Sequence, residues 1–173
     1  MAFYRDEVLA DSPLVYMPFT GQSLTTNLGS LTGVAVTSSQ IDWSGEGYVD
    51  QAPRFRGVGY ADRINYNFHA NTIFNTTNFS LEVWFKRDGQ TDHMDVFNTE
   101  GSSTQLALFQ WFGGADDGRL ILFSRAGGNT RQQINGPIIK DDQWHHVAIT
   151  KTSNILRLYV DGVLFGPLTM NRS

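Results

Sequence analysis

The chain's 173 residues suffice for one ordinary domain with a core of its own, and the lack of cysteine excludes a disulfide framework, a thiolate zinc site and a Cys nucleophile. A formal charge of -4, from 13 Lys and Arg against 17 Asp and Glu, argues against a basic face that tracks nucleic acid. Aromatics reach 13% while charged residues are only 17%, and 17 glycines are spread along the chain, which suits many short strands joined by tight turns.

The first element is a short helix in FYRDEVLA (3 to 10), where Tyr4 and Val8 lie one turn apart and Ser12-Pro13 stops the run. Arg5, Asp6 and Glu7 stand where a signal peptide would carry its apolar segment, and no later run reaches membrane-spanning length. The expectation is synthesis in the cytoplasm without membrane insertion. Short strands follow at LVYMPF (14 to 19), GVAVT (33 to 37), near RFRG (54 to 57) and at RINYNF (63 to 68). Among them lies QIDWSGEG, whose flanking glycine and serine mark Trp43 as the most exposed tryptophan. Arg54, Arg56 and Arg63 read as solvated loop arginines, and His69 in YNFHANT as a solvated loop histidine. Asn75-Thr76-Thr77 and Asn78-Phe79-Ser80 fit the glycosylation acceptor pattern but read more simply as a turn before a strand.

From residue 79 a period of two dominates. In FSLEVWFK, Phe79, Leu81, Val83 and Phe85 share one face, and Ser80, Glu82, Trp84 and Lys86 the other. TQLALFQWF (104 to 112) and GRLILFSR (118 to 125) are paired strands across GGADD. QWHHVAITK is a further strand, with His145, Val147 and Ile149 on one side and Trp144, His146, Ala148 and Thr150 on the other. NILRLYV (154 to 160) then runs into Asp161-Gly162 and VLF, a strong hairpin signal. Ten or more short strands imply two antiparallel sheets face to face, an all-β sandwich of jelly-roll type over residues 14 to 173 behind an arm of residues 1 to 13, with a closed barrel as the second architecture.

Adjacent strand residues project to opposite sides, so His145 and His146 cannot jointly ligate one ion. The expectation is a structural pair, with His145 held by a backbone group or a carboxylate. TDHMD (Asp92, Asp95) and GGADDG (Asp116, Asp117) are the only dense acidic loops for calcium, and neither offers a complete ligand set. A transition metal on His93 with Asp92 or Asp95 is weaker still. No cofactor is therefore expected, with Ca2+ as the one ion to test. For sugars, Trp111, Phe112, Asp116 and Asp117 gather at one loop end, although Trp84, Trp111 and Trp144 fall in strands where packing is the commoner use.

The segment WHHVAITKTSNILRLYVDGVLFG resembles the Trp-His-His-Val-Ala and Leu-Tyr-Val-Asp-Gly pattern of laminin G-like domains in the concanavalin A-like lectin and glucanase superfamily. FSLEVWFK looks like that family's preceding central strand and LVYMPFTG like its opening strand. The resemblance implies the same sandwich, in a family of glycan binders, calcium-dependent receptors and architectural modules. The family's glucanases place two or three carboxylates at close spacing on one strand; here Glu7, Glu46, Glu82 and Glu100 stand apart, so no catalytic residue and no enzyme is expected. FYRDEVLADSPLVYMPF is similar to the start of bacteriophage structural proteins that carry such a domain. Together these imply a non-enzymatic virion protein, decorating a capsid or associated with a tail. The alternative is a carbohydrate-binding module using Trp43, Trp111, Asp116 and Asp117. Family domains usually continue beyond the Val-Asp-Gly hairpin, whereas this chain ends in GPLTMNRS. That departure implies a sheet edge to be paired by another virion subunit or a second copy.

Overall fold

The alternation in residues 78 to 170 builds two four-stranded antiparallel sheets. The computed structural model describes residues 2–18, 27–32, 34–39, 41–47, 51–55, 63–67, 76–87, 94–99, 104–126 and 131–170. Its strands are β1 (Ala35–Ser39), β2 (Asp42–Glu46), β3 (Gln51–Arg54), β4 (Arg63–Asn67), β5 (Asn78–Lys86), β6 (Met94–Asn98), β7 (Thr104–Gln110), β8 (Arg119–Ala126), β9 (Gln132–Ile138), β10 (Trp144–Thr152), β11 (Ile155–Val160) and β12 (Val163–Thr169), preceded by helix α1 (Ala2–Ala10). The chain divides into two compact units, Met1–His69 and Ala70–Ser173.

In the second unit the strand orders are β12-β11-β10-β5 and β6-β7-β8-β9. Antiparallel pairing keeps facing residues on the same side, so Leu81 meets Ile149 and Ile149 meets Leu158 across three strands. With Val147, Leu156 and Val160 these pack against Leu106, Leu108, Leu120, Leu122 and Ile134 of the other sheet. Leu108, Leu120, Leu122, Ile149, Leu156 and Leu158 are wholly removed from solvent. Each such side chain contributes about 1.5–3 kcal/mol of transfer free energy, which is what holds the two layers together. The two-sheet antiparallel sandwich read from the alternation is the fold.

The β11–β12 connection is the expected two-residue turn, with Asp161 at φ 50° and Gly162 at φ 80°, the double positive φ that a type I′ hairpin needs. β12 is the edge of its sheet, and it lies against β9 of the opposite layer. Gly166 makes that approach possible: a Cβ there would come within 2.9 Å of the Ile134 side chain. Gln132 donates its Nε2 to the Thr169 carbonyl on the same flank.

The first unit holds α1 and two small ladders, β1 with β4 and β2 with β3. Residues 14 to 18, expected as an opening strand, form no ladder. Pro13 and Pro18 lack donors, but the carbonyls of Pro13, Leu14 and Tyr16 accept the Ser30, Leu31 and Leu28 amides at 2.9, 2.9 and 3.0 Å, and the side chain of Asn27 adds to this pairing. Its Oδ1 accepts the Tyr16 and Gly29 amides at 2.8 and 2.9 Å, while its Nδ2 donates to the Leu31 carbonyl at 2.8 Å. The expected strand at 33 to 37 is shifted to Ala35–Ser39, and the one near 54 to 57 is Gln51–Arg54. Three strands were not expected: β2, β6 and β9. Arg56, Phe19, Phe68, His69 and Asn75 lie outside the described residues.

Candidate functional site

Strand β10 separates the two histidines as its period demands. His145 turns toward the interior beside Phe85, ring centroids 6.2 Å apart, and His146 lies on the outer face against Trp84 at 5.0 Å. His145 Nδ1 contacts Asp161 Oδ2 at 2.6 Å and its Nε2 contacts Asp141 Oδ1 at 2.9 Å. Both partners are carboxylates that only accept, so both ring nitrogens donate and the ring is an imidazolium. The other oxygen of Asp161 accepts the His146 backbone amide at 2.9 Å, and the Asp161 amide donates back to the His146 carbonyl. One turn carboxylate thus fastens the β11–β12 hairpin to the start of β10. The expected carboxylate partner for His145 is present, and the protonated ring has no lone pair to offer a metal. On the outer face His146 Nε2 stands 3.4 Å from Glu82 Oε2.

At the same end of the sandwich, where Lys140 precedes Asp141, the connection from β7 to β8 raises two aromatic rings into solvent. β7 stops at Gln110, before the expected end at 112, and Trp111 and Phe112 are each 38% exposed. A turn of 3-10 helix, Gly114–Asp116, follows, and the Trp111 amide and carbonyl close the loop on Arg119 and Gly118 at 2.8 Å each. Gly113, Gly114 and Gly118 all have positive φ, and at Gly118 a Cβ would also strike the Ile139 carbonyl at 2.8 Å. Beneath the loop, the buried Gln110 amide donates to the carbonyls of Gly118 and Ile139, both at 2.8 Å.

The two loop aspartates are committed to cations. Asp117 accepts from Lys140 Nζ at 2.6 Å and from the Gly113 amide at 3.2 Å, with the buried Arg87 guanidinium at 3.6 Å. The Lys140 hydrogen bond, the Gly113 amide and the two positive charges outweigh desolvation and hold the Asp117 carboxyl below its ordinary range. Asp116 accepts from Arg119 Nε at 2.6 Å. Arg87, Lys140 and Arg119 surround these carboxylates, so the pair does not fit a calcium ion. In the other acidic segment Asp95 belongs to strand β6 rather than to a loop and accepts from Asn98 Nδ2 at 2.9 Å; Asp92 and His93 lie outside the described residues. Among the described residues no cluster of three potential metal ligands forms, and no helix is long and apolar enough to cross a membrane.

Of the proposed sugar contacts, Trp111, Asp116 and Asp117 therefore share one loop, while Trp43 sits in β2 of the first unit. Trp43 is half-buried, not the most exposed tryptophan, because its segment is a strand and not a loop. Trp111 is the exposed one. Arg87, Gln110 and Lys140 were missed. The available signal was parity: Arg87 continues the inward series 79, 81, 83, 85, and Gln110 continues 106, 108, where an uncompensated polar group is costly.

The family model described as the concanavalin A-like lectin/glucanases superfamily, of laminin G type, matches residues 59–172, well over half of the chain. The chain belongs to the concanavalin A-like lectin/glucanases superfamily. No curated protein and no solved structure shows significant similarity to it. Membership of this superfamily fits a lectin-like or other binding role.

Proposed function

We propose that this concanavalin A-like domain is a non-catalytic glycan-binding module whose contact surface is the β7–β8 loop tip. The observation behind this reading is the pair of exposed rings, Trp111 and Phe112, on a loop held rigid by Gln110 below and by Lys140 and Arg87 on Asp117. Aromatic faces bury sugar ring surface without a large entropy cost, and a fixed loop avoids ordering on binding. Asp116, 57% exposed at its side chain, is placed to accept from a sugar hydroxyl at the rim. The role of Asp117 is to brace the loop. Trp111→Ala should weaken retention on bacterial surface polysaccharides roughly tenfold or more, the loss of a stacked aromatic anchor, with thermal stability little changed. Equal retention by wild type and Trp111→Ala on a glycan array would sink the tip as the contact.

The setting we favour is a phage particle. Support comes from residues 3 to 19, with their likeness to phage structural proteins, and from α1, a separate nine-residue helix ended by Ser12 at φ 53°. In that setting the arm and a sheet edge would dock on other virion subunits, and the loop tip would face outward toward a cell-surface glycan.

A further inference from the structure

The outer face of β5, β10 and β11 is laid out in rows by its register. Thr150 pairs with both Ser80 and Arg157, so these three form one row; Ala148 pairs with both Glu82 and Tyr159, which form the next. Neighbours in a row are about 4.8 Å apart and successive rows roughly 7 Å apart. All of them project away from the core residues Leu81, Ile149 and Leu158 on the other side of the same strands. An open groove of about 450 Å3 runs over this corner of the sheet, lined by Asn78, Ser80, Thr150, Thr152, Arg157 and Tyr159.

Three features of the groove point to a ligand. First, the Arg157 side chain is half-buried, yet among the described residues it makes no hydrogen bond or ion pair. A guanidinium that has lost part of its hydration without gaining an acceptor is an open demand for an anion. Second, the side chains of Ser80, Thr150 and Tyr159 likewise make no hydrogen bond among the described residues, and they stand beside Arg157 on the same face. Third, Lys151 borders the groove from the inward side of β10, where it is buried; its ammonium donates to the Thr76 carbonyl and lies 5.8 Å from the centre of the Phe79 ring, adding positive charge beneath the surface. The adjacent carboxylate on this face, Glu82, is one row away and is engaged by His146. The local balance therefore favours negative charge.

We propose that this groove binds a carboxylate-bearing sugar unit. Arg157 takes the carboxylate through its planar fork, the Tyr159 ring lies against the sugar, and the Ser80 and Thr150 hydroxyls meet sugar hydroxyls. A free inorganic anion would leave most of the volume unused, whereas the groove is within the size range of small-molecule sites. The Arg157 fork meets the two oxygens of a carboxylate bidentately, and the other nearby cation, Lys151, already donates to the Thr76 carbonyl, so the site supplies one engaging guanidinium per ligand charge. The inference rests on the domain being a glycan binder but not on the loop tip being the contact.

The test is calorimetric titration of the full chain with a uronic acid hexasaccharide, its carboxyl-reduced neutral counterpart and a sulfated hexasaccharide. Wild type should bind the acidic ligand at least roughly tenfold more tightly than the reduced one, with affinity falling as salt rises. Arg157→Gln should remove that preference, and Arg157→Lys should keep part of it. Three results overturn the proposal: undiminished acidic binding by Arg157→Gln, no preference for the acidic over the reduced ligand, or tighter binding of the sulfated one. If Trp111→Ala loses every ligand and Arg157→Gln loses none, the groove is rejected and the glycan reading at the tip survives. Failure of wild type to bind any glycan rejects both.

Discussion

A protonated histidine between two carboxylates makes the stability of the β10–β11 region depend on pH in a defined way. Burial opposes the charge on His145, but hydrogen bonds to Asp141 and Asp161, with their negative charges, outweigh it and raise its pKa above 6.5. Asp141 moves the other way: its hydrogen bond with His145 outweighs desolvation and lowers it below 3.8. The raised histidine contributes fully below pH 6.5, and its contribution is lost as pH rises through its folded pKa. The lowered aspartate contributes above pH 3.8, and its share is lost as pH falls through its own folded value. The fastening is therefore strongest between these limits. Wild-type melting temperature should decline from pH 6.5 into the alkaline range, and His145→Gln, less stable overall, should show a flatter slope there; parallel slopes in circular dichroism melts would exclude the imidazolium. At this scale the sequence was informative about His145, because a strand's parity assigns a histidine to one face, but not about Asp141, whose role depends on a turn at Asp142 with φ 53°.

At the scale of elements, legibility followed the regularity of alternation. β5 and β11 put large apolar residues at every second position, and β10 does so at Val147 and Ile149 between the inward His145 and Lys151, so their faces could be assigned from the alternation. β9 hides the same pattern in QQINGPI: its inward positions include Ile134 and Gly136, and a Cβ at 136 would meet the Leu120 carbonyl at 3.0 Å and the Leu158 side chain at 3.1 Å. Close packing demands glycine there, and glycine reads as a turn. β6 was obscured by its acidic neighbours. The glycines of the β7–β8 loop allow a direct comparison of two backbone effects. Gly114 and Gly118 both have positive φ, but nothing lies within 4 Å of a Cβ at 114, whereas one at 118 meets Lys140 Cγ at 2.7 Å and the Ile139 carbonyl. Gly114→Ala should cost about 1 kcal/mol from backbone conformation alone, and Gly118→Ala about 1–3 kcal/mol more from the clash. Chemical denaturation of both variants measures the difference, and equal midpoints would mean the loop simply shifts.

For the whole molecule, sequence reasoning reached the architecture because a two-layer sandwich is what many half-buried strands require. Trp43, grouped by residue type with Trp111, Asp116 and Asp117, is a β2 residue of the other unit, and nothing in its local pattern signals this. The candidate tip was legible because its residues are contiguous; its bracing was not, because Arg87 and Lys140 come from distant segments. The phage setting is tested at this scale too. Removing residues 1 to 13 should reduce incorporation into particles roughly tenfold or more while leaving glycan retention unchanged. Normal incorporation of the truncated chain, measured by quantitative blotting of purified particles, would remove the arm from its docking role.

The rows on β5, β10 and β11 have an evolutionary corollary. On β5 and β10 positions such as 81, 83 and 149 answer to the interior, as 156 and 158 do on β11, while 80, 82, 150, 157 and 159 answer only to whatever the surface meets. Substitutions at the latter can accumulate without disturbing the former. A lineage under pressure to recognise a changing coat could rewrite this surface one side chain at a time, and its descendants would keep the same interior while sharing little of the outer chemistry.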